Sequence, residues 1–132
     1  MSPEAHVLAE HRIERAAAAC KEGDLLAEQN ACRGAINRYY YAAFHAARAL
    51  LATRNVDAAR HAGVIALFQQ HFVKIGDFPA DTARALPRSF EKRLSSDYSD
   101  FVEISAEEVE RVRTEVHAFV DACRQLLHAS EL

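Results

Sequence analysis

The chain of 132 residues has no tryptophan, one methionine, four glycines and three prolines. So little turn chemistry, with no alternating β-branched run bounded by turn residues, excludes a sheet-based fold. No apolar run approaches the roughly 20 residues that span a bilayer. The N-terminus opens with a helix start rather than a basic-then-apolar leader, so a cytoplasmic protein without a membrane partner is expected. The three cysteines, Cys20, Cys32 and Cys123, are an odd number without paired ligand spacing. They read as small core residues in a reducing compartment. Seven histidines are present, yet no HExxH and no two-plus-two set with cysteine occurs, and the acids are dispersed over helix faces, so neither metal nor cofactor is expected. No glycine-rich loop joins a strand to a helix, which excludes a phosphate-cradling nucleotide fold. Nor does any local signature place a base beside a serine or cysteine nucleophile. A formal net charge of -3 excludes a globally basic nucleic-acid binder while leaving room for a local basic groove.

What is present is apolar residue at 50 % of positions, enough for the core of one domain over residues 1–132 without disulfides or metal. Stretches rich in Ala, Glu, Arg and Leu predict an all-α, up-and-down bundle of four to five helices. Ser2 and Pro3 supply a cap and a first-turn proline for a helix whose Leu8, Ile13, Ala16, Ala17 and Cys20 keep a helical period. It is expected to run through Gly23 to about Glu28, because a mid-helix glycine costs only about 1 kcal/mol. After a break at 30–34, a second helix is expected from about Arg33 to Thr53. Asp57 is expected to cap a third carrying Val64, Phe68, Phe72 and Ile75, ended by Gly76. Pro79 and Asp81 begin a fourth with Ala83, Leu86, Phe90 and Leu94, which Pro87 must bend or restart. Arg93 and Asp97 are placed to pair across one of its turns. A capping box of Ser105 and Glu108 starts the last helix, with Val109, Val112, Val116, Phe119, Val120, Cys123 and Leu127 as its apolar stripe and an outer pair of Glu107 with Arg111.

The second helix organises the rest. At about 100° per residue, Ile36, Tyr40, Ala43, Phe44, Ala47, Leu50 and Leu51 form one broad apolar arc. Ala42, Ala46 and Ala49, with Tyr39 at the edge, form a small-residue face suited to a tight helix contact, within the chain or across a dimer. Between them runs a stripe of hydrogen-bonding and basic groups, Asn37, Arg38, Tyr41, His45 and Arg48. His61 and His71, near the two ends of the third helix, read as exposed or helix-terminus histidines. Polar residues concentrate at two places, that stripe and the stretch from Arg93 to Tyr98.

The segments NRYYYAAFHAARALL, HAGVIALFQQHFVKIG and RLSSDY, in this order and followed by a Val- and Phe-rich last helix, resemble the HEPN superfamily, and within it the small stand-alone prokaryotic HEPN proteins. The match covers about residues 13 to 125. The resemblance implies a helical bundle, usually a homodimer, often encoded beside a minimal nucleotidyltransferase and in many members acting as a metal-independent RNase toxin. In active members an Arg followed four to six residues later by His lines a dimer cleft. Arg93 matches that Arg, but Tyr98, Ser99 and Asp100 stand where the His is expected. Asp97 and Tyr98 match an Asp-Tyr pair of close relatives.

Metal-independent RNA cleavage needs a base for the 2′-hydroxyl, an acid for the leaving oxygen and positive charge for the phosphate. Arg93 supplies charge, whereas a tyrosine with a reference pKa near 10 is a poor base that can donate a proton or a hydrogen bond. The candidate catalytic set is therefore Arg93, Asp97 and Tyr98, and the candidate nucleic-acid or nucleotide contacts are Asn37, Arg38, Tyr41 and His45. Against it stand plainer roles: a packing histidine at His45, helix-holding hydrogen bonds at Asn37 and Arg38, and a helix-end ion pair at Arg93 and Asp97. The alternative functions are a non-catalytic binding or scaffold subunit, and an acceptor of nucleotide transfer at Tyr98.

Overall fold

The computed structural model describes residues 1–130, the side chain of Ser130 excepted. Six α-helices follow one another: α1 Pro3–Glu28, α2 Cys32–Ala52, α3 His61–Phe68, α4 Ala80–Ala83, α5 Ala85–Tyr98 and α6 Ala106–Ser130, with a π-helical segment, Gln69–Val73, continuing α3. The fold is all-α, with no strand among the described residues. None of these helices is long and apolar enough to cross a membrane.

The α1 and α2 helices form an antiparallel hairpin, as their cross-contacts show. Arg12 reaches the carbonyl of Arg48 at 3.1 Å, Gly23 lies against the ring of Tyr39, and Gly34 lies against Leu26. Ser2 caps α1 by accepting from the amide of Ala5 at 3.1 Å. Helix α1 runs unbroken through Gly23 because that position is where the Tyr39 ring needs room. Asn30, after α1, and Asn55, after α2, take positive φ, a conformation that asparagine tolerates better than most residues. Along α2, Ala42, Ala43, Ala46, Ala47, Ala49, Tyr39, Tyr40, Leu50 and Leu51 are all buried. The small-residue face therefore serves an intramolecular contact, chiefly with α1. Full burial of each large apolar side chain contributes about 1.5–3 kcal/mol.

Helix α6 closes the bundle, and its predicted stripe from Val109 to Leu127 is buried. Phe119 meets Phe68 and Phe78 with ring centroids 5.4 Å apart in each case, and Phe68 stacks on Phe72 at 5.3 Å. Arg54 lies 3.9 Å from the Phe72 ring centre and pairs with Asp77 at 2.7 Å. Pro87 falls in the first turn of α5, where its missing amide hydrogen costs nothing, and the chain restarts there after α4.

Several local expectations are corrected. Asp57 does not cap α3, whose N-cap is Arg60. Its carboxylate is instead shared by Arg48 at 2.9 Å and Arg12 at 3.2 Å, two charge-assisted contacts that outcompete a single cap bond. Ile75 and Leu8 are exposed, because the π segment and the first turns of α1 carry them off the core face. The amide of Glu108 donates to Ser105 Oγ at 3.1 Å, but its side chain accepts from Lys92 at 2.9 Å rather than closing the capping box. Glu107 and Arg111 are both exposed, and among the described residues they form no ion pair with each other.

Candidate functional site

Helix α5 packs against α2 so that Arg93 enters the polar stripe. Its guanidinium carbon lies 5.3 Å from the ring centre of Tyr40 and 5.2 Å from that of Tyr41, within the range of a cation-π contact. The side chain is only 20 % exposed, and Nε lies 3.2 Å from Asp97 Oδ2. That separation makes an ion pair, yet Nε is buried without a properly directed hydrogen bond. Asp97 thus neutralises Arg93 in part without saturating its donors. Tyr98, the last residue of α5, is 82 % exposed.

Tyr41 lies between two cations, for Arg38 also sits 5.2 Å from its ring centre. Arg38 donates to Asn37 Oδ1 at 3.0 and 3.3 Å and approaches Glu22 at 3.6 Å. His45 is buried beneath this surface, 6.0 Å from the Tyr41 ring, and its Nδ1 has no hydrogen-bond partner among the described residues. Burial first, then the charges of Arg15, Arg48, Arg38 and Arg12, bring its pKa down to about 4. The imidazole is therefore neutral at pH 7. The structure brings Asn37, Arg38, Tyr41, His45, Arg93 and Asp97 to one face, and leaves Tyr98 at its rim.

Two residues outside the predicted set hold this face together. Arg33, at the start of α2, donates to the carbonyls of Ser96, Ser99 and Val102, the last at 2.7 Å and Ser99 at 3.3 Å. The last carbonyls of a helix lack intrahelical partners, so this one guanidinium closes the end of α5 that carries Asp97 and Tyr98. His61 opens α3, and its Nδ1 meets the hydroxyl of Tyr40. Its ring stacks on Phe44 at 4.6 Å and lies 5.5 Å from the Tyr40 ring and 6.2 Å from that of Phe90. Burial, followed by the charges of Arg93 and Arg48, lowers the pKa of His61. No local sequence pattern marks either residue; only the packing of α3 and α5 onto α2 does.

Beside His61, a recess of about 460 Å³ is lined by Phe44, Arg48, Asp57, Ala58 and Ala59. A separate groove of about 560 Å³ between α5 and α6 contains none of the candidate residues. Its charges pair with each other, Arg88 with Glu115 at 3.2 Å and Lys92 with Glu108 at 2.9 Å. It reads as a helix-packing furrow. Among the described residues no group of three or more His, Cys, Asp or Glu is arranged to hold a metal ion.

Comparison with known proteins bears on this geometry. A Thermotoga maritima protein named "UPF0332 protein" is 32 % identical over 118 residues, covering 89 % of each chain. Two Methanocaldococcus jannaschii proteins, each named "Putative toxin", are 37 % identical over 103 residues, covering 78 % of this chain and 76 % of the relative, and 26 % identical over 118 residues, covering 89 % and 80 %. The family model described as the HEPN domain matches residues 9–126, from the first turns of α1 to the last turns of α6. With the helical hairpin, the α5 arginine and nearly the whole chain inside that match, the protein belongs to the HEPN domain family.

Proposed function

We propose that the chain is a toxin-like HEPN protein that binds RNA through a phosphate site centred on Arg93, acts on it without a metal, and works as a homodimer beside a nucleotidyltransferase partner. The observation that carries this reading is the seat of Arg93. A guanidinium fixed against two tyrosine faces, four-fifths buried, with Nε turned to Asp97 and its two terminal nitrogens making no hydrogen bond among the described residues, is preorganised for an anion at little further entropic cost. Arg38 extends the positive surface across Tyr41. Asn37 holds Arg38, and the neutral His45 supports Tyr41 from below. Tyr98 supplies an exposed phenol able to donate a hydrogen bond or a proton at the rim, and Asp97 orients Arg93. The names of the two archaeal relatives support the toxin-like role.

The test is incubation of end-labelled RNA with purified protein in excess chelator, alongside Arg93→Ala. Cleavage by the parent and a loss of about 100-fold or more in the variant are expected. No cleavage by the parent, or equal cleavage by both, contradicts the catalytic assignment. Light scattering at micromolar concentration reads the dimer directly, and a monomer there removes the case for a shared cleft.

A second reading rests on the 82 % exposure of Tyr98, which suits an acceptor of nucleotide transfer. Co-expression with an active nucleotidyltransferase and mass analysis of the peptide containing Tyr98 decides it, since an unmodified tyrosine ends that reading.

A further inference from the structure

Tyr40 is fully buried, and among the described residues its hydroxyl has one hydrogen-bond partner, Nδ1 of His61. A buried phenol must place its hydrogen on an acceptor. It therefore donates to Nδ1, and the ring hydrogen of a neutral His61 belongs on Nε2. Burial and the charges of Arg93 and Arg48 disfavour the imidazolium, so this tautomer persists at neutral pH. Stacking on Phe44, 4.6 Å away and 17° from parallel, fixes the plane of the ring. The half-buried His61 makes no hydrogen bond through Nε2 within the described residues. Arg93 stands over the same Tyr40 ring, 5.3 Å from its centre, close enough for its charge to act on the imidazole.

One tyrosine thus organises two unsaturated donors, a cationic guanidinium and a neutral N–H held in one tautomer. We infer that His61 and Arg93 form a two-pronged site for the oxygens of a phosphate ester, with His61 donating through Nε2–H. A neutral second donor suits this position because a second cation beside Arg93 would be repelled by it, whereas an N–H adds a directed bond without added charge. The assignment rests on the RNA-binding reading above and adds to it the group that faces the phosphate from α3.

Long-range ¹H–¹⁵N NMR of the histidine-labelled protein tests the parent without any substitution. The expected spectrum shows His61 as the Nε2–H tautomer, with its Nε2 signal moving on addition of a single-stranded RNA hexamer. The same movement with ATP identifies a free nucleotide as a source of the phosphate and also supports the site. In parallel, hexamer affinity is measured by fluorescence anisotropy for His61→Phe, which keeps the stack and loses the donor, and for His61→Gln, which restores an N–H. A loss of about tenfold or more for His61→Phe is expected, with His61→Gln within threefold of the parent. A motionless Nε2 signal under saturating hexamer, or unchanged affinity in a folded His61→Phe, overturns the inference while Arg93→Ala still reports on the reading beneath it. A parent that binds neither hexamer nor ATP overturns both.

Discussion

The hydroxyl of Tyr39 donates to Asp24 Oδ1 at 2.6 Å, tying the central helix to α1 through a carboxylate that also meets Nε2 of His117 at 2.9 Å and Arg113 at 3.2 Å. Burial works against the ionised Asp24, but the hydrogen bonds from Tyr39 and His117 and the charges of His117 and Arg113 outweigh it and keep its pKa below the usual value. Asp24→Ala strands a fully buried phenol, so a loss of about 2 kcal/mol in unfolding free energy is expected. Urea titration should show a lower midpoint at unchanged slope. In Tyr39→Phe/Asp24→Ala the stranded donor is absent, and part of the loss should be recovered.

Gly23→Ala sets two effects against each other. Alanine gains about 1 kcal/mol of helix propensity over glycine. The added Cβ, however, would stand 2.7 Å from Cε1 of Tyr39, a ring that is fully buried and hydrogen-bonded at its far end. Overpacking of this kind costs about 1–3 kcal/mol, so the net effect is expected to be destabilising. A rise in melting temperature on this substitution would show that the hairpin has slack at that crossing.

His45 makes the fold sensitive to mild acid. Its pKa is about 4 in the folded chain against an ordinary value of 6.5, so below pH 6.5 the unfolded chain takes up a proton that the folded one refuses. Stability is full above that value and declines as pH falls from 6.5 to about 4, by up to about 3 kcal/mol. His61, also lowered, acts in the same direction. Asp24 and Asp57, with lowered carboxyl values, contribute their losses at lower pH. Urea midpoints between pH 7.5 and 4.5 should fall for the parent and fall much less for His45→Gln.

Arg33→Ala removes the three-carbonyl clamp on the end of α5. Amide exchange over residues 96–102 should quicken by about tenfold or more, with little change in the α6 core. Arg33→Lys is not expected to rescue it, because a single ammonium lacks the planar fork that spans separated carbonyls. Exchange at parental rates in Arg33→Ala would show that the turn after α5 holds itself.

The bounds of α1 and α2, the buried stripe of α6 and the central place of α2 were legible because each rests on periodicity, caps or glycine and proline chemistry, which are local. The pairing of Arg93 with Asp97 was legible for the same reason, being one turn apart on α5. Other features depend on which helices meet. The spacing of Ser105 and Glu108 gave no hint that Lys92 would claim the glutamate, and Asp57 read as a cap because nothing near it showed Arg12 and Arg48 arriving from two helices. His61 looked like a helix-end histidine, which by position it is; its stack on Phe44 and bond to Tyr40 arise only from the docking of α3. Arg33 likewise acts on residues more than sixty positions away.

The burial of most of α2 gives the candidate site unequal halves. Amides on the buried side of α2 are expected to open only with the whole molecule, so that of Tyr40 should be among the slowest to exchange. The end of α5, with one arginine for a clasp and an exposed Tyr98 beyond it, belongs to a shallower layer of local opening. A ligand seated on Arg93 would thus rest against a firmly packed wall, and its grip would be adjusted from the end of α5 without loosening the bundle.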